Sequence, residues 1–217
     1  MHQTLFGFAR DRVADFLGRH WNDPSVQADV ARLRSEHRAE KTGATTVWSD
    51  DPAGVTLYVQ WLMNRDRKST GLKSLQGKIW EEGYRSGELR GEVYPDVPGA
   101  LERWQRQGIQ IAIFSSGSVQ AQRLLFGSTP AGDLTRFLSG YFDTTTGPKT
   151  DSESYARIGA ALGRRTSEVL FISDVVPELE AAMSSGMETV LCVRVPEAGA
   201  PPGWHRVIHG FDELGLS

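Results

Sequence analysis

The sequence predicts an α/β protein: a helical N-terminal part, then a parallel sheet with helices on both faces. Two patterns carry this expectation. Over roughly the first 90 residues, apolar side chains recur at helical spacing among charged ones. After Tyr94-Pro95-Asp96 the pattern changes to helices alternating with short, continuous apolar runs, as expected for strands covered on both faces. The division is therefore a helical domain over 1–92 and an α/β domain over 93–217.

Phe8, Val13, Phe16 and Leu17, set among Arg10, Asp11, Arg12 and Asp15, predict a first helix from Phe8 to Leu17. Asp23-Pro24 reads as a turn or helix start, followed by Val26, Val30 and Leu33 at helical intervals. Thr42 to Gly54, rich in Gly, Thr, Ser, Asp and Pro, reads as a loop. Val55 to Asn64 and Leu72 to Tyr84 read as helices, with Trp61, Leu75, Ile79 and Trp80 as their buried stripe.

In the second part, Pro98 to Gln107 reads as a helix stopped by Gly108 and followed by a strand from Ile109 to Phe114. A helix containing Val119 to Leu125 follows. Thr150 and Glu153 have capping-box spacing for a helix running to about Leu162, where Gly163 stops it before a strand from Val169 to Ile172. A helix near Pro177 runs through Met183 to a stop at Gly186, and Pro177 suits its first turn, where no N–H is needed. Thr189 to Val193 is the next strand, and Val207-Ile208 predicts a short final one before a terminal turn.

Composition narrows the function. The 217 residues carry 24 Lys+Arg against 27 Asp+Glu, a net charge of −3, which argues against a nucleic-acid partner held through its phosphate backbone. Apolar residues at 39% and charged ones at 24% exclude a disordered or fibrous chain. A chain of this length buries roughly 70–75% of its extended surface, so it needs neither disulfide nor structural metal to fold. The single cysteine, Cys192, leaves no internal disulfide to form. No apolar stretch approaches the ~20 residues of a membrane span, and Met1 to Phe6 lacks the form of a secretory signal. The expectation is a cytoplasmic monomer without a membrane partner.

In open α/β sheets, ligands bind beyond the carboxyl ends of the strands, so the residues that follow the apolar runs carry the chemistry. Ser115-Ser116-Gly117-Ser118 offers hydroxyls and free helix-start amides to an oxyanion such as phosphate. The same four residues also read as an ordinary strand-to-helix turn with a serine cap. Lys149 closes a Thr/Gly/Pro loop just before a helix, where its ammonium can neutralise a phosphoryl oxygen or simply stand in water. Asp174 follows the strand at Val169 to Ile172, with Glu178 one turn into the next helix. An acid there can ligate Mg²⁺ or satisfy helix N–H groups. Serine turn, lysine and aspartate in this order describe a Mg²⁺-assisted phosphoryl-transfer site with one part missing.

Those three places resemble motifs II, III and IV of the haloacid dehalogenase superfamily. The match tightens in Leu72-Lys73-Ser74-Leu75-Gln76-Gly77-Lys78-Ile79-Trp80-Glu81-Glu82-Gly83-Tyr84, Gly87-Glu88-Leu89 and Val93-Tyr94-Pro95-Asp96-Val97. It continues through Ser115-Ser116-Gly117-Ser118-Val119, Leu124-Leu125-Phe126-Gly127, Gly140-Tyr141-Phe142-Asp143-Thr144-Thr145 and Ser173-Asp174-Val175-Val176. These runs resemble the enolase-phosphatase E1, or acireductone synthase, family from about Leu5 onward. The resemblance implies a HAD-like Rossmannoid core with a helical cap over 1–92. It implies methionine salvage: enolisation of 2,3-diketo-5-methylthiopentyl 1-phosphate, then loss of phosphate to give 1,2-dihydroxy-3-keto-5-methylthiopentene, with Mg²⁺. By the same resemblance Ser115, Ser116 and Lys149 bind this small phosphorylated diketo substrate and Asp174 binds the metal.

One departure qualifies that expectation. The family's first core strand ends in Asp-x-Glu-Gly-Thr-Thr, which supplies the aspartyl nucleophile and a second carboxylate. Here Thr4 to Arg10 already corresponds to the first cap helix, so the first core strand and its catalytic residues are expected to be absent. Asp151-Ser152-Glu153 is the chain's one Asp-x-Glu, and it stands at a helix start. Impaired turnover follows as an expectation, with a non-catalytic binder of a phosphorylated ligand or a partner as the competing reading. A general phosphatase of the same superfamily fits the cap-region runs less well. His205 and His209, at i, i+4 spacing without a nearby carboxylate or cysteine cluster, make a poor zinc pair. The six tryptophans are scattered and read as packing.

Overall fold

The computed structural model describes residues 2–40, 47–67, 69–195 and 205–215. These fall into two compact units, dividing between Arg90 and Gly91.

The first unit is four helices: α1 (His2–His20), α2 (Pro24–Ala39), α3 (Pro52–Asn64) and α4 (Thr70–Ser86). Ala9, Val13, Phe16 and Leu17 of α1, Val26, Val30 and Leu33 of α2, and Leu75 and Ile79 of α4 are buried in one core. Their i, i+3, i+4 and i+7 intervals gave the helical reading. Asp23 caps α2 by accepting from Ser25 N–H at 2.7 Å, with Pro24 in the first turn. The same Asp-Pro chemistry recurs at Asp51-Pro52. Asp51 accepts from Gly54 N–H at 2.9 Å and starts α3 at Pro52, so the loop expected to reach Gly54 ends earlier. Residues 41–46 of that loop lie outside the described ones. Trp80 lies at the margin of the core rather than in its buried stripe, with its indole N–H donating to the Leu5 carbonyl at 2.9 Å.

The second unit alternates helix and strand: α5 (Asp96–Arg106), β1 (Ala112–Phe114), α6 (Val119–Gly127), β2 (Gly140–Phe142), α7 (Ser152–Ala161), β3 (Leu170–Ser173), α8 (Val176–Ser184), β4 (Glu188–Cys192) and β5 (Arg206–Ile208). The three anticipated stop glycines all carry positive φ: Gly108 at 77°, Gly163 at 66° and Gly186 at 92°. A side chain with a Cβ is strained in that region, which makes glycine the natural helix terminator. The cap of α7 is Asp151 rather than Thr150: its side chain accepts from Glu153 N–H at 3.0 Å. β2 is a strand that sequence patterning missed.

All strand pairs are parallel. β1 pairs with β2 from Ala112↔Gly140 to Phe114↔Phe142. β4 lies between β3 and β5, with Leu170↔Glu188 and Val190↔Arg206 in register. Helix α5 packs one face through Val97, Ala100, Leu101 and Trp104, against Ile111, Leu170, Ile172 and Val190. Helices α7 and α8 pack the other through Tyr155, Ile158, Ala181 and Ala182, against Phe114, Phe142 and Phe171. Ile111 just before β1 and Phe114 at its end thus feed the same two cores as Leu170, Phe171 and Ile172 of β3, although among the described residues β1 and β3 do not pair with each other. Val190 to Cys192 of doubly paired β4 are buried, whereas every residue of β1 and β3, each paired on one edge, is only half-buried.

Candidate active site

Because the strands are parallel, their carboxyl ends share one edge, and the loops there carry the expected groups. Past β1, Ser115 continues the ladder through its N–H to the Phe142 carbonyl at 3.0 Å. Its Oγ accepts from Gly117 N–H at 3.1 Å, and Ser118 caps α6 by accepting from Ala121 N–H at 3.2 Å. Ser116 stands exposed beside them. Buried Gln122 pins this turn from beneath, donating to the Gly117 carbonyl at 3.0 Å and the Phe142 carbonyl at 2.9 Å. Sequence patterning gave no sign of Gln122, because a glutamine inside a helix is read as solvated until its partners are seen.

At the end of β2, Asp143 serves structure. Its carboxylate accepts from Thr145 N–H at 2.9 Å, from the Thr145 hydroxyl at 2.6 Å and from Val119 N–H at 3.3 Å. Further along the same loop Gly147 has φ 141°, and a Cβ there would collide with the Ser154 hydroxyl. This close approach lets the loop fold down onto α7 and carry Lys149 back toward the sheet.

The Lys149 ammonium donates to Glu178 at 2.5 Å and lies 5.7 Å from the Phe114 ring at the end of β1. Glu178 also accepts from the Ser173 hydroxyl at 2.9 Å, and Ser173 Oγ accepts in turn from Val175 N–H at 3.1 Å. Lys149 is therefore placed between the end of β1 and the end of β3, with Glu178 as its resident counter-ion. Both side chains are largely buried, at 24% and 12% exposure, so the pair is held more firmly than a surface ion pair.

Asp174, next to Ser173, is exposed, and among the described residues it forms no hydrogen bond or ion pair. Its carboxylate is free to take a cation. Among the described residues no group of three or more His, Cys, Asp or Glu stands together, and Asp174 belongs to no such group there. Mg²⁺ is commonly held by one or two carboxylates with waters and substrate phosphate oxygens, and Asp174 fits one position in such a shared set.

The remaining candidates are engaged elsewhere. Asp151 is occupied at the α7 cap and Glu153 pairs with Arg157 at 2.8 Å, so the chain's Asp-x-Glu is structural. His205 bonds the Thr189 hydroxyl at 2.9 Å and His209 the Val193 carbonyl at 2.8 Å, so the two do not converge. Cys192 is buried in β4, and that burial pushes its thiol up, away from reactivity. An open groove of about 620 Å³ beside the N-terminal ends of α7 and α8 is lined by Thr150, Ser152, Pro177 and Glu180, among others. Neither Ser115 nor Asp174 lines it, and it belongs to the flank of the site. Among the described residues no helix is long and apolar enough to cross a membrane.

Residues 5–186 match the family model for haloacid dehalogenase-like hydrolases. The chain is 54% identical over 213 residues to a Synechococcus elongatus protein named enolase-phosphatase E1, covering 98% of this chain and 90% of that protein. A Sorangium cellulosum protein of the same name is 45% identical, covering 99% of this chain and 90% of its own. Among solved structures, the Saccharomyces cerevisiae UTR4 protein superposes with a TM-score of 0.81 at 34% identity, covering 98% of this chain and 92% of that one. A HAD phosphatase from Thermococcus onnurineus, 20% identical with a TM-score of 0.58, shares the fold.

Proposed function

Because the chain belongs to the enolase-phosphatase E1 family of haloacid dehalogenase-like hydrolases, we propose that it is a phosphatase of methionine salvage. In this reading it takes 2,3-diketo-5-methylthiopentyl 1-phosphate to the acireductone and phosphate, with the helical unit, which ends at Arg90 rather than at the expected residue 92, as a cap. The observation that supports this best is Lys149, whose ammonium stands between the serine turn after β1 and the acids after β3.

The residues divide the work as follows. Lys149 and the hydroxyls of Ser115 and Ser116 bind the phosphate and carbonyl oxygens. Lys149 exchanges the Glu178 carboxylate for a phosphoryl oxygen as substrate enters, so its charge is already fixed where negative charge gathers. Asp174 holds Mg²⁺, which when bound supplies positive charge to the transferring phosphoryl group. Ser173 keeps Glu178 in place once Lys149 has turned to substrate.

Covalent phosphoryl transfer also needs a nucleophile, which in this family is the aspartate of Asp-x-Glu-Gly-Thr-Thr. That motif is not among these 217 residues. We therefore propose that the 217-residue chain by itself binds the phosphoester and turns it over slowly at most. Among the described residues β1 and β3 are each paired on one edge, and their other edges, with apolar cores packed on the faces beside them, would accept a strand carrying the motif. A second reading, a binder of phosphorylated ligands without turnover, is favoured by Asp174 being, among the described residues, the candidate site's one carboxylate without a hydrogen bond or ion pair.

The experiment joins an Asp-x-Glu-Gly-Thr-Thr strand from a relative to the chain and offers it the diketo phosphate and simple phosphomonoesters with Mg²⁺. Acireductone and phosphate appearing together from the diketo phosphate, far faster than phosphate from the simple esters, is the expected result. Equal rates on all esters would point instead to a general phosphatase.

A further inference from the structure

Lys149 is held from beneath by a residue that the strand-end motifs do not include. Tyr155, fully buried in the first turns of α7, donates its phenol to the Lys149 carbonyl at 2.6 Å. Its ring stands edge-on to Phe114 of β1 (centroids 5.6 Å apart, 81° between planes) and to Phe171 of β3 (4.9 Å, 69°). One side chain thus touches both sheet pieces and the backbone of the lysine between them. The Lys149 ammonium lies over the same Phe114 ring. The rest of the loop is tied down by other means: Asp151 N–H donates to the Pro148 carbonyl at 3.1 Å and Arg157 to the Thr146 carbonyl at 2.9 Å. Among the described residues the Tyr155 hydroxyl supplies the side-chain bond to Lys149's own peptide.

We propose that Tyr155 is a positioning residue for phosphate capture, its hydroxyl fixing the Lys149 peptide so that the ammonium is presented between β1 and β3. The inference rests on the reading of Lys149 as a phosphate ligand. The ring and the hydroxyl have separable roles: the ring wedges the two sheet pieces, and the hydroxyl sets the lysine. Burial pushes the phenol's pKa well above its ordinary value, so it remains a neutral donor and adds no charge of its own to the site.

The test titrates inorganic phosphate into the 217-residue chain, Tyr155→Phe, Lys149→Met and the double variant by calorimetry. Phenylalanine keeps the wedge and removes only the hydroxyl. Loss of one hydrogen bond predicts phosphate binding weakened about 3- to 10-fold in Tyr155→Phe. In the Lys149→Met background the same change should cost less than about 1.5-fold, the non-additivity expected of groups acting as one unit. Unchanged affinity in Tyr155→Phe, or an equal loss in both backgrounds, would overturn the proposal. A second readout needs no phosphate: the rate of Lys149 acetylation by acetic anhydride, measured against exposed Lys73 in the same sample. It should rise at least about threefold in Tyr155→Phe as the ammonium leaves Glu178 more often. An unchanged ratio would overturn positioning by Tyr155, whereas failure of the parent chain to bind phosphate would overturn only the underlying reading of Lys149.

Discussion

Replacing Lys149 by methionine should separate what this lysine does for the fold from what it does for a ligand. Methionine keeps much of the stem and removes the ammonium that meets Glu178 at 2.5 Å. Glu178, with 12% of its side chain exposed, is then left with the Ser173 hydroxyl at 2.9 Å. Breaking a fully buried pair costs about 3–5 kcal/mol, and the remaining hydrogen bond to a charged acceptor offsets about 1.5 of it. The expected cost is therefore about 1.5–3.5 kcal/mol, or roughly 3–14 °C in melting temperature for a chain of this size. Adding Glu178→Gln removes the stranded charge and should recover more than half of that. Phosphate behaves differently. Losing one charge-assisted contact weakens binding by about 10- to 100-fold, and nothing in Glu178→Gln restores it. Near-UV circular dichroism follows unfolding and calorimetry follows phosphate. If the double variant regains phosphate affinity along with stability, or if Lys149→Met binds phosphate as the parent does, Lys149 is a structural cation and not a ligand.

Three further outcomes follow from local geometry. Burial pushes the Asp96 carboxyl up, but the Phe211 N–H at 2.6 Å and Arg194 at 2.7 Å outweigh it and hold the group below the usual carboxylate range. Its stabilising contribution is thus present above about pH 4 and is lost as pH falls through the lowered value. Asp96→Asn should cost about 2 kcal/mol at neutral pH in urea unfolding, with the gap closing in strong acid; a gap independent of pH would refute the assignment. At Gly91 a Cβ would collide with the Leu125 carbonyl oxygen, so Gly91→Ala should lower the urea midpoint by the equivalent of about 1–3 kcal/mol, and an unmoved midpoint would show that this backbone yields freely. Asp151→Ala should lose about 1 kcal/mol of α7 capping while Thr150→Ala stays within about 0.5, and the reverse order would restore threonine as the cap.

Much of the second unit was legible because parallel strands covered on both faces are short apolar runs and their helices end in glycine. Gly108, Gly163 and Gly186 were read as stops, and each sits at positive φ. β2 escaped notice because Gly140-Tyr141-Phe142 is too short to show a period, and its register with β1 is a tertiary fact. The α3 start was missed although Asp51-Pro52 repeats Asp23-Pro24, since the surrounding Thr, Ser and Asp masked a cap as loop composition. At the candidate site, Ser115, Lys149 and Asp174 can be picked out of the sequence because each follows an apolar run or opens a helix. Gln122, Ser173 and Tyr155 cannot, because a residue that positions another is defined by what it touches. The pairing of Lys149 with Glu178 was likewise invisible, 29 residues apart in sequence and joined only when α7 and α8 pack together.

The proposed function has the strand ends of this chain hold a phosphoester while a carboxylate nucleophile completes the reaction. Its most direct test is phosphate release from the diketo phosphate with Mg²⁺ in a single turnover, by three proteins: the 217-residue chain, the chain joined to an Asp-x-Glu-Gly-Thr-Thr strand, and the chain joined to the same strand with its Asp changed to Asn. Release by the Asp form alone, with phosphate bound by all three, is the predicted result. Equal release by the 217-residue chain, or by the Asn form, would contradict it.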